Sequence, residues 1–270
     1  MPTPSDLDDI ARELKQAQDN SAQITPASDR FPGFDLAAGY AVGERIHRLR
    51  VAEGDLPVGR KVGMTLRSRW PELGVSAPIW AWLRQRSVRR FRQDDASLSL
   101  APFCQPKIEP ELVVHFRNAP PAGADEAAMI AAIDWVAPGI EIVQTHYRNG
   151  FGKPPDSLAD CAHHAALLIG TPMPVDQLGS EVVGQMTRLS VRLCCGGTLR
   201  ETGTAENVLG SPLTALCEIA TIMAAHGAPL AAGEVVTTGT ITTPCPIAVG
   251  ETWEVTFDGI ALPALSVRFE

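Results

Sequence analysis

Hydrophobic and polar positions repeat with two different periods along the chain, and the period changes near residue 59. Residues 5–20 carry apolar side chains at helical spacing behind acidic residues that suit a first turn, which predicts an amphipathic helix. Residues 21–32 are rich in Ser, Thr and Pro and predict a linker, and residues 35–52 predict a second helix. We therefore expect a small helical N-terminal part over residues 1–58.

Beyond that part, short apolar runs bounded by Gly and Pro predict a body built mainly from strands. Strands are predicted over 60–65, 107–116, 140–146, 162–169, 182–194, 234–240, 253–257 and 264–269, and helices over 125–136 and 212–226. Many strands with few helices between them favour a mixed or mostly β body over a doubly wound parallel sheet. The predicted fold class is α+β, with the second domain over residues 59–270.

Composition and charge exclude several classes of partner. With 23 Lys and Arg against 31 Asp and Glu, the formal net charge is −8. A chain this acidic lacks the electrostatic footprint of a protein that binds nucleic acid or an anionic membrane. The most apolar stretch, residues 213–232, is interrupted by polar residues, Gly and Pro, so we expect no membrane-spanning helix.

Cysteine usage and the N-terminus bear on the compartment. The six cysteines are scattered without a CxxC pattern, which is typical of free thiols in a reducing compartment. The first residues carry neither the basic nor the apolar region of a secretory signal. We therefore expect a cytoplasmic protein.

Two glutamates on one predicted strand are the first candidates for chemistry. Glu109 and Glu111 are two residues apart, so both carboxylates point to one face of the strand at the entrance to an apolar run. Two like charges at that place repel each other and need a compensating cation, for which a hard divalent ion is suited. Read alone, the pair is more typical of an exposed edge strand, because glutamates are mostly exposed.

Two further residues strengthen the hypothesis of a cation site. Glu141 stands between two isoleucines of a predicted strand, where a lone carboxylate is costly to bury unless it is paired or bound to a metal. Lys61 lies on a short strand between two glycines that let a ligand approach the backbone. A lysine beside a metal-bound substrate can act as an acid or base, although a solvated surface lysine has the same local pattern.

The order of these segments resembles a known family. Gly-Arg-Lys-Val-Gly-Met-Thr at 59–65 is followed by Pro-Lys-Ile-Glu-Pro-Glu at 106–111, Pro-Gly-Ile-Glu-Ile-Val at 138–143 and Asp-Ser-Leu-Ala-Asp at 156–160. This set resembles the fumarylacetoacetate hydrolase superfamily, within it the branch of 2-keto-4-pentenoate hydratases and 4-oxalocrotonate decarboxylases. The resemblance runs from about residue 35 to the C-terminus.

The resemblance implies a metal-dependent enzyme. Glu109, Glu111 and Glu141 match the glutamates that hold one Mg²⁺ or Mn²⁺ in such enzymes, and the remaining metal positions take a small 2-oxo acid substrate and water. Lys61 matches the family lysine that carries a proton. Asp160 matches an aspartate that orients this lysine or a water.

The resemblance also implies the form of the molecule and of the pocket. Gly239 and Thr240 match a strand whose backbone lines the substrate pocket. The body is expected to be a mixed β-roll or barrel of the fumarylacetoacetate hydrolase type. A homo-oligomer is expected, and a complex with a partner hydratase or decarboxylase is a further option.

Several residues depart from the family pattern. His163 stands where the family usually has Ser, and it is interpreted either as an added acid or base or as a hydrogen-bonded histidine of a strand. Ile79 stands where hydratases often carry Asp. Trp80 and Trp82 are interpreted as an apolar wall for a larger substrate tail or as core packing. The segment Tyr-Arg-Asn at 147–149 looks more like the decarboxylases.

Four functions therefore stay open on sequence grounds. The first is hydration of a 2-hydroxypenta-2,4-dienoate-type substrate, and the second is decarboxylation of a 4-oxalocrotonate-type substrate at the same site. The third is hydrolysis of a C–C bond in an acylpyruvate, which usually requires a Glu–His pair that the sequence does not place. The fourth is a non-catalytic partner subunit that keeps the fold.

Overall fold

The structure is a computed structural model, and it describes residues 1–91, 95–148 and 150–270. Asn149, the last residue of the Tyr-Arg-Asn segment, lies outside the described residues. The helices are α1 (Pro4–Asp19), α2 (Ala27–Arg30), α3 (Leu36–Ala52), α4 (Trp70–Leu73), α5 (Glu126–Ala132), α6 (Pro154–Ala159), α7 (Val182–Thr187) and α8 (Pro212–Ala225). The strands are β1 (Pro57–Gly63), β2 (Ile79–Arg84), β3 (Val88–Arg90), β4 (Asp95–Leu98), β5 (Lys107–Phe116), β6 (Ile133–Val143), β7 (His164–Ile169), β8 (Met173–Pro174), β9 (Ser190–Cys195), β10 (Thr198–Thr204), β11 (Val235–Thr237), β12 (Cys245–Pro246), β13 (Thr252–Asp258) and β14 (Leu265–Phe269).

The N-terminal helices form a layer with its own apolar core. Thr3 caps α1, because its hydroxyl accepts a hydrogen bond of 3.2 Å from the amide of Asp6. Leu14 of α1 and Ile46 of α3 are buried in a cluster that also contains Leu158 of α6. This cluster joins the helical layer to residues far along the chain. The division of the chain at residue 58 remains a prediction.

The body contains two sheets. Within the described residues, a nine-stranded sheet has the order β2-β1-β11-β5-β6-β7-β3, with β12 attached to β5 and β8 attached to β6. The other sheet has five strands in the order β10-β9-β13-β14-β4. The larger sheet is mixed, since β1 pairs parallel to β11 and antiparallel to β2. The predicted α+β class, with a curled mixed β body and a helical N-terminal part, is confirmed.

Helix α8 lies in the main core. Ser211 caps it through a hydrogen bond of 3.2 Å from the amide of Leu213, and its first position is Pro212. Its apolar side chains are buried with residues from both sheets. Residues 205–225 are long and apolar enough to span a membrane by those two criteria alone, but 56% of the apolar 18-residue window within them is buried inside the protein. A core helix passes the same test, so this stretch is weak evidence for a membrane span.

Two elements were assigned the wrong secondary structure over part of their length, in segments where tertiary contacts determine it. The helix predicted over 125–136 ends at Ala132, and the residues that follow begin β6, where Trp135 pairs with His115 of β5. The strand predicted over 182–194 is instead α7 followed by β9. A short apolar run fits a helix or a strand equally well, and packing in the core decides between them.

Candidate metal centre and active site

Three carboxylates meet on the two central strands of the larger sheet. Strands β5 and β6 pair in a register that places Glu109 directly opposite Glu141, and Glu111 follows two residues later on the same face. One carboxylate oxygen from each residue lies within 4.8 Å of one from the others. All three side chains are buried. The strand spacing and the register together build the acidic trio that the sequence predicts.

The electrostatics of the trio call for a cation. Burial raises the pKa of Glu109 to about 7, although the Lys61 ammonium acts against this rise. Burial and the neighbouring Glu141 raise the pKa of Glu111 well above its usual range. Burial also opposes ionisation of Glu141, but Lys61 and His164 outweigh it and lower the pKa of that carboxyl. A divalent cation would allow all three groups to be ionised together.

The donor set fits a hard divalent cation. Within the part of the chain that the structure describes, Oε1 of Glu111 is buried and accepts no hydrogen bond, and Oε2 of Glu141 is buried with only the Lys61 ammonium near it, at 3.4 Å. Buried carboxylate oxygens without a partner are costly, and a metal ion is one of the few partners that satisfies them. Three carboxylate ligands leave further positions of an octahedral shell for a bidentate ligand and water. Mg²⁺ or Mn²⁺ therefore suits this site.

The remaining oxygens of the trio are held by neighbouring groups. The amide of Gly239 donates a hydrogen bond of 2.8 Å to Oε2 of Glu111. His164 Nδ1 donates to Oε1 of Glu141 at 2.6 Å, and its Nε2 lies 2.8 Å from the hydroxyl of Ser87. Such partners fix the orientation of metal-binding carboxylates and leave their other oxygen directed at the cation.

Lys61 lies beside the acidic trio. Its ammonium is 3.4 Å from Oε2 of Glu141 and donates a hydrogen bond of 2.8 Å to the carbonyl of Ala162. Burial lowers the pKa of Lys61, but the three carboxylates, with Glu141 first, outweigh burial and raise it. The side chain is therefore a buried ammonium that carries a proton next to the candidate cation site.

The carbonyl that holds Lys61 belongs to an unusual turn. Cys161, Ala162 and His163 all have left-handed backbones, with φ of 52°, 52° and 64°. Left-handed conformations cost non-glycine residues roughly 1–2 kcal/mol each, so three in succession require strong support from the surrounding structure. The conformation turns the Ala162 carbonyl toward Lys61 at 2.8 Å.

Asp160 supplies part of that support. His146 Nδ1 donates to its carboxylate at 2.8 Å and the amide of His146 donates at 3.1 Å. Gln18 of α1 adds a hydrogen bond of 3.0 Å. Burial opposes ionisation of Asp160, but the hydrogen bonds from His146 and the nearby ring of His163 outweigh it and hold the pKa of Asp160 below the usual range. Asp160 lies one residue before the turn, and among the hydrogen bonds and ion pairs of the described residues it has none with Lys61.

A cavity of about 300 Å³ opens beside the trio. Lys61, Glu109, Thr240 and Thr242 are among the residues that line it. Arg69 lies at the same cavity and pairs with the carboxylate of Glu72 at 3.0 Å. The cavity has the size of a small organic acid and offers cationic, hydroxyl and apolar groups to it.

The structure separates the other predicted residues into two groups. Gly239 lies at the trio and Thr240 at its cavity, but both stand in the segment after β11 and not on the strand that was expected there. Ile79 pairs with Gly63 on the face of the sheet that carries Lys61, but it packs in the helical layer. Trp80 points to the opposite face of β2 and lines a different cavity. Of the two interpretations of Trp80, core packing agrees better with its position than a wall of the substrate pocket does, because Trp80 belongs to the main core.

His163 contacts the turn and not the trio. Its Nε2 lies 2.9 Å from the hydroxyl of Ser157, and its Nδ1 is 3.6 Å from Asp160. The ring of Phe151 stands against it at 4.6 Å between centroids. His163 is therefore a residue of the turn that lies beside Asp160, and it was a candidate because it departs from the family pattern at this position.

Sequence reasoning missed three groups around the site. His146 and His164 each hold a carboxylate, and the carbonyl of Ala162 holds Lys61. For the two histidines, the sequence offers one indication of a buried partner. Both lie in or next to apolar runs, where burying an imidazole without a hydrogen-bond partner costs free energy. A backbone carbonyl leaves no signal in the sequence.

Comparison with known proteins agrees with this geometry. Residues 77–268 match the family model described as fumarylacetoacetate (FAA) hydrolase C-terminal. The chain is 30% identical over 252 residues to a 2-keto-4-pentenoate hydratase from Burkholderia vietnamiensis, which is 93% of each chain. It is 28% identical over 263 residues to a 4-oxalocrotonate decarboxylase from Pseudomonas putida, covering 96% of this chain and 95% of the relative.

A solved structure gives a match over the whole chain. It is the 4-oxalocrotonate decarboxylase from Pseudomonas putida G7 complexed with magnesium and adipate, with a TM-score of 0.91 and 28% identity over 100% of this chain and 99% of that one. The family model includes the acidic trio and Asp160, and the full-length matches extend over Lys61 and the helical layer. The chain belongs to the fumarylacetoacetate hydrolase family.

Proposed function

We propose that this protein is a divalent-metal-dependent lyase that hydrates a 2-hydroxypenta-2,4-dienoate-type acid. The observation that carries the proposal is the buried trio of Glu109, Glu111 and Glu141 with the Lys61 ammonium beside it. The similarity to 2-keto-4-pentenoate hydratases at 30% identity over almost the whole chain supports hydration as the reaction.

The metal has one task in this proposal. Held by the three glutamates, it would polarise the 2-oxo group and stabilise negative charge that develops there. The three carboxylates of the trio would be balanced by the two positive charges of the metal ion and the one of the Lys61 ammonium. A 2-oxo acid would therefore bind to a site that is close to neutral overall. The fixed orientation of Glu111 by Gly239 and of Glu141 by His164 preorganises those ligands.

Lys61 is the proton carrier in this proposal. In the hydration of the dienol, the 2-hydroxyl loses its proton and the far end of the conjugated chain, C5, gains one, so the net charge is unchanged. Water then adds its OH to C4 and its remaining proton to C3. Nζ of Lys61 lines the cavity and holds the proton that we assign to C5, and the proton released from the 2-hydroxyl would restore it. The Ala162 carbonyl and Glu141 fix Nζ from two sides, which limits the directions in which it can donate.

Asp160 and His163 act through the turn. Asp160 is held by His146 and Gln18, and it leads directly into the left-handed residues that present the Ala162 carbonyl. In our proposal Asp160 and His163 are positioning residues for Lys61. The apolar side chains of Met64 and Leu73 at the cavity exclude bulk water from the substrate.

Decarboxylation of a 4-oxalocrotonate-type acid is the second candidate. The observations that favour it are the full-length match to a decarboxylase at a TM-score of 0.91 and the presence of Arg69 at the cavity. A second carboxylate on the substrate would find a cation there. An acylpyruvate-type hydrolase is less well supported, because Glu141 and His164 do form a pair but that pair serves the trio.

A parallel assay separates these functions. The purified protein with Mg²⁺ is given a 2-hydroxy-dienoate and, separately, its 2-oxo-hexenedioate counterpart, with ultraviolet loss of the dienol and release of CO₂ followed together. Loss of dienol without CO₂ supports the hydratase, and CO₂ release supports the decarboxylase. Failure of both with bound Mg²⁺ refutes the lyase proposal and favours a non-catalytic subunit.

Finer features of the protein are part of the same proposal. We expect a homo-oligomer in the cytoplasm, in the degradation of aromatic compounds, and the option of a complex with a partner hydratase or decarboxylase stays open. The acidic net charge of −8 supports a small-molecule enzyme over a nucleic-acid-binding one. Sedimentation of the purified protein measures its oligomeric state.

A further inference from the structure

The segment that leads into the left-handed turn is bound by residues near the N-terminus. The amide of Ile24 donates a hydrogen bond of 2.7 Å to the carbonyl of His146. The hydroxyl of Ser28 donates at 2.6 Å to the buried carboxylate of Asp156, which lies 128 residues later in the chain. The stretch over residues 21–32, which the sequence predicts as a linker, is therefore bonded to the segment that ends in the turn.

Gln18, in the last turn of α1, reaches the left-handed turn itself. Its Nε2 donates a hydrogen bond of 3.0 Å to Oδ1 of Asp160 and lies 3.7 Å from Sγ of Cys161. Both of these residues are buried, and Cys161 is the first of the three left-handed residues. One amide group of the helical layer therefore contacts the residue before the turn and the residue that begins it.

The side chain of Gln18 is fixed on its other side by α3. Its Oε1 accepts a hydrogen bond of 3.1 Å from Nη2 of Arg50, which is itself paired with Asp19. Leu14, one helical turn earlier on α1, is buried in the apolar core that α1 shares with α3. A guanidinium only donates hydrogen bonds, so the amide must direct its Nε2 toward Asp160. The helical layer therefore holds Gln18 in one orientation.

The contacts of Gln18 bear on the position of Nζ of Lys61. The Ala162 carbonyl that holds Nζ at 2.8 Å belongs to the left-handed turn that begins at Cys161. Residues other than glycine keep this conformation only where neighbouring groups enforce it. Removal of the Gln18 amide takes one contact from Cys161 and one donor from a buried carboxylate, so the turn relaxes and its carbonyl leaves Nζ.

We propose that Gln18 is a positioning residue for Lys61, acting through Asp160 and the left-handed turn, so that the helical layer is a working part of the active site. This inference rests on the proposed role of Lys61 as the proton carrier. The family model begins at residue 77, so Gln18 and the layer that holds it lie outside the matched part of the chain. Their contribution is one that the family match leaves unassigned.

The Ala162 carbonyl gives a spectroscopic test that needs no turnover. Protein labelled with ¹³C at alanine carbonyls and ¹⁵N in histidine shows two Ala–His correlations, from Ala162–His163 and Ala225–His226, and His226→Gln assigns them by removing one. Lys61→Met abolishes the hydrogen bond to the Ala162 carbonyl and so calibrates the shift of its ¹³C resonance. Gln18→Met keeps the side-chain length without the amide, and it should move that resonance in the same direction by about half as much or more.

Kinetics give the second test. The cavity beside the trio is lined by described residues other than Gln18, so Gln18→Met should lower kcat about tenfold or more and change KM and the affinity for Mg²⁺ by less than about twofold. In the Lys61→Met background the same substitution should lower the residual turnover no further, because the lysine that it positions is gone.

Gln16→Met is the matched control. Gln16 lies on the same helix and its side chain is exposed, so this variant should change neither the Ala162 resonance nor turnover. Urea unfolding establishes that each variant is folded under the conditions of the assay. Gln18→Asn is the second variant, because it keeps an amide that is one methylene too short for Asp160, and it should shift the resonance and lower kcat as Gln18→Met does.

Two results would overturn the inference. The first is an unchanged Ala162 carbonyl resonance in folded Gln18→Met. The second is an additive loss of turnover when Gln18→Met is combined with Lys61→Met, which would mean a general effect on the protein. A wild-type protein that binds Mg²⁺ and turns over no substrate would refute the lyase proposal instead, and the carbonyl resonance would still decide whether Gln18 positions Lys61.

Discussion

Replacement of Lys61 by alanine is expected to lower turnover by about 10²–10⁴-fold, the usual contribution of a positioned acid or base. Lys61 lines the cavity, and its Nζ carries a proton beside the trio. Glu109, Glu111 and Glu141 stay in place in this variant, so binding of Mg²⁺ should persist. Loss of turnover with retained metal binding is the pattern that a proton carrier predicts.

The structure also gives the size of the charge effect. At 3.4 Å from Oε2 of Glu141, and with an effective dielectric constant of about 20, the ammonium attracts that carboxylate by about 5 kcal/mol before desolvation. Burying both charges offsets much of this attraction, so the net loss of stability is smaller. Because Lys61 carries the same sign of charge as a metal ion, Mg²⁺ should bind to the variant as tightly as to the wild type or more tightly.

The assay follows dienol loss in the ultraviolet and measures Mg²⁺ affinity by calorimetry on the same preparations. Lys153→Ala is the matched control, because its side chain is 65% exposed and lies away from the cavity. Lys61→Met keeps the length of the side chain and removes its charge, so it should lose turnover as Lys61→Ala does. Turnover at the wild-type level in Lys61→Ala would refute the assigned role.

Three further outcomes are expected. Glu111→Gln should weaken Mg²⁺ binding about tenfold or more in calorimetry, and an unchanged affinity would contradict the metal assignment. Gly59→Ala should lower the free energy of unfolding by about 3 kcal/mol or more in urea, because an ideal Cβ would stand 1.8 Å from the carbonyl oxygen of Val235; equal stability would contradict that close approach. Burial lowers the pKa of His47 from 6.5 to about 4. Between these two values the unfolded chain binds more protons, so stability should fall as the pH drops through this window, and His47→Phe should flatten the fall measured by urea unfolding.

Local pattern predicted much of the fold. The two long N-terminal helices and α8 follow from apolar spacing and from caps such as Ser211, which act within a few residues. The wrong predictions concern short apolar segments, whose secondary structure depends on the elements they pack against. Residues 133–136 belong to β6, because pairing with β5 satisfies their backbone and also buries Ile133 and Val136 in the main core. Residues 182–187 became helix through packing in the core.

For the site, the sequence by itself determined which side chains share a face. The alternation of a strand is a local property of the backbone, so Glu109 and Glu111 had to point the same way wherever β5 lay. The order of the motifs indicated the family, and the family indicated that Glu141 and Lys61 belong with them.

Tertiary structure alone decided what these groups touch. The register of β5 on β6 placed Glu141 opposite Glu109, and the pairing of β6 with β7 brought His164 to the same carboxylate. The left-handed turn that presents the Ala162 carbonyl to Lys61 has no local cause in its residue types, since alanine disfavours that conformation. Register and strand order join residues that are distant in the chain, and their energies depend on the whole packed sheet, which no local pattern encodes.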